Sequence, residues 1–397
     1  MRLPLLIMII LMVVNVFVDY YIWRRITAVA RRRFWGVAYA WSSLLCLLFL
    51  VVTICLPRRS GSDSMLVCIM WMLYAYFSVY IPKYIFCLIS FIGYLPRLWR
   101  QKSWRLPAVI GAVAAVAVFG VMWWAALINR TSVQIKQVEV MVDNLPERFD
   151  GYKIAQFSDF HVGTYGNDTT FVSEVVDKLN GLDVDAIMFT GDIVNRRTDE
   201  LLPFVGVLSR LDAPDGVYSI LGNHDYGDYC EWQSDEAKRA NMALMNDLQR
   251  KMGWRLLNNE TEFIYRGGDS IAVVGVENWG DPPFTVYGDL DKAYPCQSDS
   301  TFKLLLTHNP AHWVEKIADN DTINIGLSLS GHTHAMQMEV GGVSPAAWRY
   351  PTWGGLYNDS DGSHKLYVNI GLGTVAIPAR IGATPEITVL TLKKSHN

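Results

Sequence analysis

"SGHTHAMQ", residues 330–337, sets two histidines two positions apart, behind a glycine and ahead of a glutamine. Taken alone, the stretch is either part of a metal site or two polar residues in a turn. The choice depends on whether other segments supply the missing ligands. "QFSDFH" (156–161), "FTGD" (189–192), "LGNHD" (221–225) and "LLTHN" (305–309) each run from apolar residues into a short polar cluster, as "LSGHTH" (329–334) does. In an α/β sheet, ligands bind just beyond the carboxyl ends of strands, so such ends can converge on one spot. Of eight histidines, His161, His224, His308, His332 and His334 fall in these clusters, a concentration that packing does not explain.

The residue types suit a pair of cations. Asp159 and His161 are two apart, so an extended segment turns both to one side. His332 and His334 repeat that spacing. Asp192 follows Gly191, which permits close approach, and Asn223 offers a carbonyl oxygen. Oxygen and imidazole donors without thiolate suit manganese, iron or zinc rather than a structural cysteine site. A carboxylate bridging two such ions, about 3.5–4 Å apart, draws a hydroxide into position. Each piece also has a plain reading: Asp-X-His as a turn, Gly-Asn-His-Asp as a helix cap. His312 is expected on the surface of a helix, and His364 and His396 receive no role.

Between the clusters the chain alternates strand and helix. "YKIAQFSD", "VDAIMFTGD" and "DGVYSILGNHD" read as strands; "TTFVSEVVDKLNGL", "DELLPFVGVLSRL" and "DEAKRANMALMNDLQRKMG" read as helices. "SIAVVGVEN", "FKLLLTHNP", "INIGLSLSGHTH", "KLYVNIGLG" and "PEITVLTL" follow, all strand-like. The pattern predicts a layered α/β domain over 131–397.

The first 130 residues differ in kind. They carry 14 Lys and Arg against Asp19 and Asp63, whereas the remainder carries 21 basic and 36 acidic residues. An acidic second half argues against nucleic acid as partner. Apolar runs at 3–23, 34–56, 65–95 and 107–128 predict four transmembrane helices, since a span needs about 20 apolar residues. The third is read as one crossing with a kink or interfacial tail near Pro82. The first has only Arg2 ahead of it and no small-residue cleavage site behind, so it reads as a span rather than a signal peptide. "RRITAVARRR" and "PRLWRQKSWRLP" hold the most positive charge and are expected in the cytoplasm. That places the second half on the periplasmic or extracellular face of a cell or inner membrane. Asp19 and Lys83 are candidates for functional intramembrane charges; both lie near span ends or kinks, where snorkelling is the plainer reading. Outside the cytoplasm, Cys230 and Cys296 are either paired or free.

Asp-X-His, Gly-Asp, Gly-Asn-His-Asp, His and Gly-His-X-His, in that order, resemble the calcineurin-like metallophosphoesterases over roughly 150–395. The resemblance implies a two-sheet α/β sandwich with a dinuclear centre. Asp159, His161, Asp192 and His334 would hold one metal; Asp192 would bridge to a second held by Asn223, His308 and His332. His224 would serve the leaving oxygen, with Asp225 orienting it, while the bridging hydroxide attacks phosphorus. The ending "NIGLGTVAIPARIGATPEITVLTL" and the membrane region look like a bacterial phosphodiesterase branch whose members are labelled relatives of UDP-diacylglucosamine pyrophosphohydrolase. "GDIVNRR" departs from the protein-phosphatase pattern at Asn195 and Arg197, though Arg196 could meet a phosphate. The short linker after Ile128, and the aromatics of "SPAAWRYPTWGGLYNDSDG" (344–362), point to a phosphorylated lipid or small-molecule substrate at the bilayer. That aromatic segment is otherwise an ordinary packed loop. A membrane sensor or scaffold that binds phosphate or metal without turnover is the alternative.

Overall fold

The computed structural model describes residues 2–30, 32–57, 61–99, 102–281 and 285–395. Arg31, Arg58, Arg59 and Arg100, which contribute to the loop charges, lie outside the described residues, as does His396. The chain divides into two compact units, Met1–Ala126 and Leu127–Asn397.

The first unit contains the helices α1 (Arg2–Val29), α2 (Arg33–Cys55), α3 (Asp63–Ile92) and α4 (Leu106–Leu127). Among the described residues, Arg33–Cys55, Asp63–Leu98 and Leu106–Thr131 are long and apolar enough to cross a membrane; α1 runs for 28 residues. The third apolar run is one helix through Pro82, followed by a 3-10 turn at Leu95–Trp99. Burial is inverted relative to a water-soluble bundle. Leu45, Val52, Val113 and Val116 are exposed, while Asn15, Asp19, Ser78 and Ser90 are buried. Lipid tails are as apolar as leucine, so helices associate through packing and interhelical hydrogen bonds instead. Asp19 and Lys83 therefore do not snorkel. Asp19 accepts from Lys83 Nζ at 2.8 Å, Tyr39 Oη at 2.7 Å and Tyr80 Oη at 2.8 Å. Partners from two neighbouring helices satisfy the carboxylate inside the bundle, where an unpaired charge would be costly.

The second unit is built on two mixed six-stranded sheets. One contains β1 (Gln134–Val142), β2 (Lys153–Phe157), β3 (Ala186–Phe189), β4 (Val217–Ser219), β5 (Arg255–Leu256) and β12 (Glu386–Lys394), in the order β1-β12-β2-β3-β4-β5. The other contains β6 (Glu260–Arg266), β7 (Asp269–Gly275), β8 (Lys303–Leu306), β9 (Leu327–Ser330), β10 (Gly355–Asn358) and β11 (Lys365–Val368), in the order β10-β11-β9-β8-β7-β6. Side chains alternate between sheet faces, and the core follows that period. Ile154, Met188, Ile271, Val273, Leu304 and Leu329 meet in one apolar cluster. Their strand neighbours Ala155, Ile187 and Phe189 join a second cluster with the helix α5 (Thr170–Asn180), while Ala272, Val274 and Leu305 join a third. The central strands are thus apolar on both faces, which is why they read as continuous runs.

Sequence "DELLPFVGVLSRL" forms a 3-10 segment, Thr198–Phe204, and a single helical turn, Val205–Leu208, rather than one helix. Pro203 interrupts it by removing a backbone donor. His312 is buried at 1% exposure, not on the surface. Its Nδ1 meets Thr307 Oγ1 at 3.0 Å and its ring stacks on Trp279, and burial pushes its pKa down to about 4. Cys230 and Cys296 are free thiols.

Candidate metal centre

Strands β2, β3 and β4 run parallel in one sheet, and β8 and β9 run parallel in the other. Their carboxyl ends carry Asp159, Asp192, Asn223, His308 and His332. Two groups result, Asp159–His161–His334 and Asp192–His308–His332; within each, the ligand atoms all lie within 4.8 Å of one another. In the first, His334 Nε2 is 3.1 Å from Asp159 Oδ1 and 3.1 Å from His161 Nε2. In the second, Asn223 Oδ1 lies 2.8 Å from His332 Nδ1 and 3.2 Å from His308 Nε2. Asp192 Oδ2 sits between the groups, 3.2 Å from His308 Nε2 and 3.7 Å from His161 Nε2.

The extended geometry expected for Asp159 and His161 is not what joins them. Asp159, His161, Asp192, His332 and His334 all have φ between 48° and 73°, in the left-handed region. Non-glycine residues are held there only where surroundings over-determine the backbone, and here these five sit on sharp turns beyond strand ends. Close approach of those turns excludes side chains. A Cβ on Gly331 would lie 1.9 Å from Ser158 Oγ, and one on Gly191 would lie 2.6 Å from Gly222 N.

Hydrogen bonds orient the rings. A carbonyl only accepts, so His161 Nδ1 donates to Val194 O (3.0 Å) and His308 Nδ1 donates to Thr190 O (2.7 Å). Each neutral ring then turns its Nε2 lone pair inward. For His332 the roles reverse. Tyr350 Oη donates to Asp281 Oδ2 at 3.3 Å and so accepts from His332 Nε2 at 2.9 Å, leaving Nδ1 as the inward lone pair. Arg380, fully buried, places Nη2 3.3 Å from His334 Nδ1. Imidazole lone pairs and carboxylates aimed at two common points fit divalent cations.

His224 donates its backbone N–H to Asp192 Oδ1 at 2.8 Å, and its Nδ1 bonds Asn195 O. Its ring stacks on Tyr229 at 4.3 Å. Asp225, expected to orient His224, does something else. Its two oxygens accept from the backbone N–H groups of Asp192, Ile193, Val194 and Gly222 at 2.9–3.2 Å. Its carboxylate is saturated by amides and ties the Asp192 turn to the Gly222 turn. Arg196, which the sequence left able to meet a phosphate, is buried at 2% exposure. The pocket beside the centre, about 380 Å³, is walled instead by Asn223, His224, Trp279, His332, Arg349 and Tyr350. Tyr229 and Asp281 were not anticipated; neither lies in a strand-end cluster that would mark it.

Electrostatics divide the protons unevenly. Burial favours neutral carboxyls, yet His334 beside Asp159 and His308 beside Asp192 hold both acids below the usual range. Burial opposes a charge on His308, but Asp192 and Asp159 outweigh it and raise its pKa to about 9. His332, buried and next to His308, falls to about 4. Burial and Asp192 push Asp225 up to about 7. The two carboxylates thus favour a positive charge between them, and His308 is the ring they bias toward carrying it.

The family profile described as "Calcineurin-like phosphoesterase" matches residues 152–336, and one described as "Probable Calcineurin-like phosphoesterase, transmembrane domain" matches 1–130. "Uncharacterized metallophosphoesterase YkuE" of Bacillus subtilis is 30% identical over 304 residues, 73% of this chain and 97% of that protein. "Transmembrane protein with metallophosphoesterase domain" of Bos taurus is 29% identical over 331 residues, 77% of this chain and 70% of that protein. An "Uncharacterized metallophosphoesterase" of Helicobacter pylori is 28% identical over 303 residues, 76% and 74% of the two chains. With strand-end ligands, two sheets and a helical apolar region in place, the chain belongs to the calcineurin-like phosphoesterase family, as a membrane protein and a metal-dependent phosphoester hydrolase.

Proposed function

We propose that residues 131–397 hydrolyse phosphate mono- or diesters of a lipid or other envelope component, with residues 1–130 as a four-span anchor. Asp159, His161, Asp192 and His334 would hold one divalent ion, and Asp192, Asn223, His308 and His332 the other, with manganese, iron or zinc suiting the donors. When bound, such a pair supplies a nucleophilic hydroxide at neutral pH and neutralises charge on the phosphoryl oxygens. His224 lines the pocket with Nδ1 engaged by Asn195 O, so its Nε2 is the atom available to pass a proton to the leaving oxygen. Asp225 holds the turns of Asp192 and Gly222 in register while this happens. The observation that carries the reading is Asp192 Oδ2 lying between two otherwise separate ligand groups. Asp192→Asn should lower turnover by more than the roughly 10–100-fold that loss of an outer partner costs, and should reduce bound metal by elemental analysis. A variant that keeps both ions and full turnover would refute the assignment. If turnover vanishes while cellular function persists, the chain acts as a scaffold.

The short connection from α4 to β1, and the positive charge of the first and third loops, support a membrane-borne substrate on the periplasmic or extracellular side. A phosphatase reporter fused to the C-terminus should be active; a fusion fluorescent only in the cytoplasm would reverse the orientation.

A further inference from the structure

Immediately after His334 the chain does something few chains do. Ala335, Met336 and Gln337 all take positive φ, at 51°, 47° and 55°. Left-handed backbone in three consecutive non-glycine residues is strained and persists only where surrounding contacts impose it. Those contacts are visible: Gln337 Nε2 donates to Ile377 O at 2.9 Å, Val375 N donates to Gln337 Oε1 at 2.7 Å, and Met338 bridges to Ile381. The result is an alternation in which Ala335 and Gln337 are buried while Met336, Met338 and Val340 face out. Val343, Trp348 and Ile377 face out beside them, Trp348 at 91% exposure and Val343 at 69%.

Six exposed apolar side chains thus lie on two hydrogen-bonded segments, and a concentration of such side chains marks an interaction surface. Its position says what the partner is. Asn129, at the end of the apolar span Leu106–Thr131, donates through Nδ2 to Arg380 O at 2.7 Å and accepts from Thr384 Oγ1 at 3.2 Å. The segment that carries Ile377 and pairs with Met338 is therefore the one that grips the chain where it leaves the span. A bilayer surface is the partner this connection favours. Met, Val, Ile and one Trp are the chemistry of interfacial insertion.

We propose that the patch formed by Met336, Met338, Val340, Val343, Trp348 and Ile377 inserts into the lipid interface, giving the catalytic unit a second hold on the membrane besides its span. Since this strap begins at His334 and ends at Tyr350 against His332, insertion presents the metal centre to phosphate esters lying in the bilayer. This step rests on the proposed phosphoesterase reading; the docking itself does not, and is tested without turnover.

The full-length chain and its Trp348→Phe variant are reconstituted in bilayers of plain and of brominated phosphatidylcholine. The emission difference between the two proteins, which isolates Trp348 among 14 tryptophans, should be strongly quenched by brominated lipid. An equal difference in both lipids overturns the proposal. So does unquenched Trp348 combined with a shift from dimer to monomer in Val343→Glu/Trp348→Glu, which would make the face a contact between copies. In turnover assays the same double variant should lower the ratio of activity on a bilayer-borne phosphate ester to that on a soluble one by about ten-fold. An unchanged ratio overturns the link to substrate. Quenching without turnover of any ester sinks the enzymatic reading alone.

Discussion

Asp225 accepts four backbone N–H groups and gives nothing to His224, so its removal is a structural event before it is a chemical one. Asp225→Asn presents a donor where donors already point. Each buried N–H left without a partner costs about 1–3 kcal/mol, so the variant should lose several degrees of thermal stability and bind metal poorly. Had the residue merely oriented His224, the variant would keep its stability and its metal and lose only turnover; melting curves with elemental analysis separate the two. The same lesson holds for the ligands. The candidate residue types are written in the sequence, but five of the candidates converge through left-handed turns, and no spacing rule for extended chain describes that.

At the scale of elements, the strap from His334 to Tyr350 connects both ligand groups. Its first residue belongs to one group, and its last holds His332 of the other through a chain of hydrogen bonds ending on Asp281. Arg349 Nη2 at 3.0 Å and Asn309 Nδ2 at 3.4 Å also reach that carboxylate. Because Asp281 only accepts, the chain fixes the tautomer of His332. Tyr350→Phe should weaken manganese binding to the second group by roughly 10–100-fold, the usual cost of an outer partner. Asp281→Asn should do the same, and the two changes together should cost less than their sum. Titration calorimetry on metal-free full-length chain checks this; two independent, additive losses would show that the tyrosine does not act through the carboxylate.

For the whole molecule, the helical unit holds an ion pair, Asp19 with Lys83, inside it. Removing one partner of a buried pair typically costs about 3–5 kcal/mol, whereas replacing both with apolar residues is often neutral. Lys83→Met should therefore destabilise the chain in lipid nanodiscs more than Asp19→Leu/Lys83→Met does. A double variant as unstable as the single one, or worse, would mean that the pair itself supports the bundle.

Five polar clusters behind apolar strands, and apolar runs of span length, were enough to read the architecture, because strand burial and membrane passage both depend on local composition. The grouping of Asp159, His161 and His334, and of Asp192, His308 and His332, was legible for the same reason: metal chemistry restricts the residue types. Tertiary structure alone decided the rest. Asp19 found Lys83 across 64 positions, Asp281 found His332 through Tyr350, and Asp225 turned to amides rather than to the neighbouring histidine. Hydrogen bonds between buried polar groups are set by which surfaces the fold brings together, and their partners leave no periodic trace in the chain.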